Sequence, residues 1–310
     1  MEVSMNSESA SASFKSRTRP RFRFRWSDQI SAYLFLAPAL IIFAVFAWFP
    51  IVKTVIFSFQ NVSLNGTSTF VGFNNFERML IDPAFTVAWR NSILFATLSI
   101  AMGFLIPIIV SIMVNEMRLA QGFFRLVYFL PTVIPITVTL LIWRLIYKPD
   151  NNGFLNAALA LIGGHPQSWL QDPLLVRESI IVLLTWANFG STLLIYLAAL
   201  QDVPSEHYEA AEIEGANPFQ RIVYITFPSL YPTMITTFIL QVIAVVQIFT
   251  EPFLLTKGGP GNATLTPVLV IYNKAFLNND FGLASAWSLS LIIILGLFSA
   301  VYLRITRRAD

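Results

Sequence analysis

Four carboxylates, Glu206, Glu209, Glu212 and Glu214, crowd one short stretch between two long apolar segments. Ala210 and Ala211 keep one side of that stretch small. Gly215 follows where a helix needs a left-handed cap, because glycine reaches positive φ without a Cβ clash. Asn217 and Pro218 then read as the N-cap and first residue of a second helix. The chemistry on offer is contact chemistry. Residues 202–221 form a polar island, a short knobbly helix held at a sharp angle, on which another surface can dock.

Other chemistry is scarce. The chain has no cysteine, so disulfides, Cys-ligated zinc and iron–sulfur clusters are excluded. His165 and His207 are its two histidines, too few for a histidine-based metal or catalytic site. Gly258-Gly259-Pro260-Gly261 looks at first like a phosphate cradle, but it lacks the Lys-Ser/Thr pair of a P-loop and opens no βαβ unit. It reads as a turn, and the chain carries no nucleotide fingerprint.

The elements that hold the island are apolar. Of 310 residues, 55% are hydrophobic and only 12% charged, and the mean hydropathy is +0.66. A soluble domain carries about a quarter charged residues, so this is an integral membrane protein, all-α because lipid leaves backbone groups unsatisfied outside helices. Six uncharged runs are long enough to span: 29–52, 91–115, 126–143, 179–201, 222–250 and 281–303. Residues 151–171 are rejected, since the apolar core at 154–162 gives way to Gly163, Gly164, His165 and Pro166. They read as an external loop with a short interfacial helix. Pro107, Pro131 and Pro135 are expected to kink the second and third spans.

Charge sets the orientation. Of 20 basic residues, 12 fall on one side: six in the N-terminal tail, then Arg118, Arg125, Arg221, Arg304, Arg307 and Arg308. The positive-inside rule puts both termini in the cytoplasm. Residues 1–28 read as a basic, disordered cytoplasmic tail whose alternating Arg and Phe suit lipid headgroups as well as orientation. Residues 29–304 form the membrane domain, and 305–310 a second cytoplasmic tail. The first run is too long for a signal peptide and reads as an uncleaved span. Trp48, Trp89, Trp143 and Trp287 lie near span ends, where interfacial anchoring and packing both fit. The net charge of +3 calls for no nucleic acid.

The island also resembles the signature of permease subunits of ATP-binding-cassette (ABC) importers. That pattern runs Glu-Ala-Ala, three residues, Gly, nine residues, Ile, one residue, Leu-Pro. Here stand Glu209-Ala210-Ala211, Gly215, Ile225 and Phe227-Pro228, with Phe for Leu the one departure. FVGFNNFERML, GFFRLVYFLPTVIP, KPDNNGFLNAAL and LLTKGGPGNAT resemble segments of the carbohydrate and glycerol phosphate branch, in its maltose-permease, first-subunit type. The resemblance implies a type I importer permease fold in a bacterial or archaeal cell membrane. It implies a second homologous permease, two ATPase subunits that hold ATP and Mg, and an extracytoplasmic solute-binding protein. This chain would bind no cofactor and catalyse nothing itself. Glu209, Ala210, Ala211, Glu212, Gly215, Ala216, Asn217, Pro218, Ile225 and Pro228 would form the ATPase dock.

Polar residues inside spans are costly in lipid and usually face a cavity or another helix. Trp186, Asn188, Ser191 and Thr192 in the fourth span, and Thr237, Gln241 and Gln247 in the fifth, are the expected substrate pathway. Amides and hydroxyls beside aromatic rings suit an uncharged sugar or polyol; interhelical hydrogen bonding explains the same residues as well. Glu251, at the outer end of the fifth span, reads as a gate or surface residue. An ion-gradient-coupled transporter is the alternative. It generally needs intramembrane carboxylates or histidine, which all six runs lack.

Overall fold

The computed structural model describes residues 26–63, 67–117 and 121–306. Most of the basic tail, Arg118, Arg307 and Arg308 lie outside these residues. The described residues divide into two units, one ending at Ile51 and the other beginning at Val52.

Among the described residues, five helices are long and apolar enough to cross a membrane: Tyr33–Ser58, Pro83–Asn115, Val176–Gln201, Pro218–Val246 and Phe281–Arg304. The expected third span is not straight. It consists of Gln121–Val133 and Ile136–Ile146, bent by 99° at the break. Arms of 13 and 11 residues are about 20 and 16 Å long, against about 30 Å of hydrocarbon, so six spans are reached only if both arms count as one. Pro135 stands at the break as N-cap of the second arm, and having no N–H it cannot extend the ladder of the first.

Three other spans absorb proline without breaking. Wide i→i+5 turns occupy Ala44–Trp48, Ile100–Phe104 and Ile222–Thr226, each just before Pro50, Pro107 or Pro228. A proline ring clashes with the carbonyl four residues back. Those residues are Phe46, Gly103 and Tyr224, each inside the widened turn, which makes the room. Pro107, expected to kink its helix, follows one of these widened turns.

The fourth span is the centre of the larger unit. Ile180, Ile181, Leu183, Leu193, Tyr196 and Leu197 are buried along its length. Gly190 is required there: a Cβ would overlap the Tyr128 carbonyl and the Phe129 Cα of the third span's first arm. Of the tryptophans near span ends, Trp143 and Trp287 take the packing role and are buried; Trp143 packs against Tyr147 and Trp186, and Trp287 against Phe85.

The segments between spans carry more structure than their sequence announces. A two-stranded antiparallel ribbon pairs Gln60–Val62 with Ser68–Phe70, with Asn61 opposite Thr69. Helix Asn74–Ile81 begins within FVGFNNFERML, and the short helix expected after the third span is Phe154–Leu161. Apolar helix Pro267–Leu277, in the last loop, was not anticipated.

Candidate functional site

The polar island begins with helix Ser205–Ile213. Its C-terminus is closed by Gly215 at φ +81°, where the Gly215 N–H donates to the Glu212 carbonyl (3.0 Å) and the Ala216 N–H to that of Ala211 (2.9 Å). Only open space surrounds the position a Gly215 Cβ would take, so the glycine answers a backbone need and not a packing one. Asn217 then forms a reciprocal cap with Gln220: the Gln220 N–H donates to Asn217 Oδ1 (2.9 Å), and the Asn217 N–H to Gln220 Oε1 (2.8 Å). Pro218 opens the helix, as its spacing predicts.

That second helix is the fifth span itself, which runs from Pro218 to Val246. The island has one short helix of its own and borrows the base of a span for the other. Tyr208 and Thr226 join the two through their hydroxyls, 3.1 Å apart, and Arg221 faces Glu212 at 3.6 Å. Between them opens a cleft of about 690 Å³ lined by Ala210, Ala211, Gly215, Ala216, Ile225 and Pro228. Glu209 is exposed on the helix and, with Glu212, lies off the cleft lining. His207, Gln220, Arg221 and Tyr224 line it too; nothing in their spacing singles them out. Ile213 and Phe219, 88% and 74% exposed, leave apolar surface beside the acids.

A second cavity, of about 490 Å³, lies between the second, fourth and fifth spans. Asn188, Ser191, Thr192, Thr237, Gln241 and Gln247 all line it. Trp186 does not; its ring stands edge-on to Trp143, 5.6 Å between centroids. Two hydrogen bonds tie the walls. Tyr196 and Thr237 meet through their hydroxyls at 2.6 Å, and Gln241 Nε2 donates to Ser99 Oγ. Interhelical bonding and cavity lining thus fall on the same residues.

Ser99, Gly103 and Thr185 complete the polar wall and were not expected. Gly103 is the tightest point: a Cβ there would lie 2.8 Å from Gln241 Nε2 and 3.3 Å from Ser99 Oγ. Only the long-range contact of the second span with the fifth reveals it. For Glu251 the surface alternative is corrected: the residue is 8% exposed and part of the cavity wall, and burial raises its carboxyl above the ordinary glutamate value.

The glycine-rich loop is a turn, pinned from three sides. Asn91 Nδ2 donates to the Asn262 and Leu265 carbonyls at 2.7 and 2.9 Å. Arg177 Nη1 donates to the Ala263 carbonyl at 3.1 Å, and Thr264 Oγ1 to that of Gly259 at 2.8 Å. Among the described residues, no group of three or more His, Cys, Asp or Glu is arranged to hold a metal ion.

Comparison with known proteins gives a consistent likeness. Residues 103–310 match the model of the binding-protein-dependent transport system inner membrane component family. A probable ABC transporter permease protein, YurN of Bacillus subtilis, is 34% identical over 272 residues, covering 86% of this chain and 92% of that protein. The arabinooligosaccharides transport system permease protein AraP of Halalkalibacterium halodurans is 32% identical, covering 90% and 89%. The trehalose/maltose transport system permease protein MalF of Thermococcus litoralis is 30% identical, covering 89% and 93%. In fold, the chain resembles a crystal structure of a bacterial ABC transporter involved in import of the acidic polysaccharide alginate. The TM-score is 0.83 at 23% identity, over 91% of this chain and 96% of that one.

Proposed function

Since the chain belongs to the binding-protein-dependent transport system inner membrane component family, we propose that it forms half of the translocation pathway of an ATP-driven importer for an oligosaccharide or related polyol. A second, homologous permease completes the pathway, two ATPase subunits hold ATP and Mg, and an extracytoplasmic binding protein delivers the sugar. The relatives named for arabinooligosaccharides and trehalose/maltose support the substrate class, as does a cavity walled by amides and hydroxyls. Such groups supply both the donors and the acceptors that sugar hydroxyls need.

One observation carries the reading: the island is continuous with both helices that wall the cavity. The fourth span ends at Gln201, the island helix occupies Ser205–Ile213, and the fifth span starts at Pro218. A push on an ATPase-bound island therefore reaches the cavity through two rigid helices. Glu209 and its neighbours are placed in the cytoplasm by this reading, against the ATPase. ATP favours the closed ATPase dimer, and that difference in affinity drives the permeases outward-open; hydrolysis returns them.

Purified with its partner subunits, the assembly should hydrolyse ATP faster once the binding protein, loaded with a neutral oligosaccharide, is added. Hydrolysis indifferent to every loaded binding protein would remove the reading. Orientation has its own check, because a chain without cysteine gives no background. A cysteine at Ser205 should react with impermeant thiol reagents from the cytoplasmic side only, and one at Ser168 from the outside only.

A further inference from the structure

The cavity wall is polar but almost uncharged. Ser99, Thr185, Asn188, Ser191, Thr192 and Gln241 are all neutral, and Glu251 is the one ionisable side chain among the lining residues. Its position is not casual. It follows the fifth span, immediately before Pro252, at the end of the cavity away from the island. Several carboxylates of that end of the molecule are paired, and Glu77, Asp172 and Glu178, without an ion pair among the described residues, do not line the cavity. Asp82 has Lys274 at 2.6 Å and Asp150 has Lys148 at 2.9 Å, and Asp280 is paired with Arg78. Glu251 has no ion pair among the described residues, although it is 8% exposed. A paired acid explains itself as local structure, whereas an unpaired one on a cavity wall projects its charge into the cavity.

We propose that Glu251 is a specificity-determining residue, a charge filter at the outer mouth that disfavours anionic saccharides and admits uncharged ones. The proposal rests on the reading of this cavity as part of a sugar pathway, and it narrows the substrate class to neutral oligosaccharides or polyols. A largely buried carboxylate with no counter-charge on its wall is poorly screened, so it repels an anion more strongly than it would in open water. Sugar hydroxyls can donate hydrogen bonds to it, while a uronate or phosphate group cannot.

The test needs no knowledge of the sugar. A single cysteine at Gln247, on the same wall, is introduced into the full importer in proteoliposomes held outward-open with ATP and vanadate. Two impermeant methanethiosulfonates, one bearing a sulfonate and one a trimethylammonium group, are added from outside at about pH 7 and again at about pH 9, because burial raises the Glu251 carboxyl and the filter acts through its ionised form. Labelling is read by the mass of this chain. With Glu251 present the cationic reagent should be favoured. Glu251→Gln should speed the anionic reagent and slow the cationic one, changing their rate ratio by about fivefold. Glu251→Asp, which keeps the charge, should preserve the ratio.

An unchanged ratio in Glu251→Gln at both pH values overturns the proposal. So does a change in which both reagents speed up or slow down together, since that reports altered access and not charge. Neither outcome depends on sugar uptake. Failure of the sugar reading would appear instead as importer assemblies whose ATP hydrolysis ignores every saccharide-loaded binding protein.

Discussion

The island and the cavity are both polar breaks in an apolar chain, and they are built in opposite ways. The island is local: its cap, turn and second cap fall between Ala210 and Gln220, and their hydrogen bonds join residues three to five apart. The cavity is distributed, with Ser99 and Gln241 bonded across 142 positions and Tyr196 and Thr237 across 41. A local motif can be rigid while exposed, which suits a surface that another protein must grip. A distributed wall changes shape when its helices shift, which suits a pathway that must open to alternate sides. Substitutions should therefore separate the two: island changes break coupling and spare the cavity, and cavity changes do the reverse.

Gly190 should give the largest effect of all, because both regions hang on the fourth span. Replacing it with Leu forces a side chain onto the backbone of Tyr128 and Phe129, a clash beyond the usual overpacking cost of about 1–3 kcal/mol. Loss of assembled, detergent-stable complex is expected in size-exclusion chromatography. Gly215→Val comes next. A β-branched residue at φ +81° meets a penalty above the roughly 1–2 kcal/mol of ordinary residues and misaims the island helix. The complex should still assemble, because nothing crowds that position, while uptake falls by about tenfold or more.

Cavity changes should be milder. Alanine at Gln241 removes the bond to Ser99, worth about 1 kcal/mol in a membrane interior. We expect slower uptake, or altered sugar preference, with assembly and ATPase docking intact. If alanine at Asn188, Ser191, Gln241 and Gln247 together left uptake rate and range unchanged, the pathway would follow another face of these helices.

The smallest effect belongs to an ion pair outside both regions. Burial raises the Asp82 carboxyl, but Lys274 and the Ala84 N–H outweigh it and hold it below its ordinary value. A depressed folded-state pKa stabilises the fold above the unfolded pKa and stops doing so as pH falls through the folded one. Melting temperature should thus drop slightly on acidification below about pH 4, and Asp82→Asn should reduce that dependence.

The same contrast explains what the sequence discloses. Gly215, Asn217 and Pro218 are legible because caps are decided by neighbours along the chain. Polar residues in spans can be marked as costly, and six of the seven marked lie on the cavity wall, yet Gly103 carries no signal in its own span. Its role appears only when Gln241 arrives beside it. Trp143 and Trp287 left anchoring and packing open for the same reason: position near a span end does not say whether another helix covers the ring. The 99° bend of the third span was announced by Pro135 in kind but not in size, which depends on what the two arms pack against.

ATP-dependent uptake in proteoliposomes containing the full importer tests the account most directly. A radiolabelled neutral oligosaccharide should accumulate only with ATP inside and the binding protein outside, and Gly215→Val should abolish most of that accumulation in assemblies of normal composition. Accumulation driven by an ion gradient without ATP, or wild-type uptake by the Gly215→Val assembly, would contradict it.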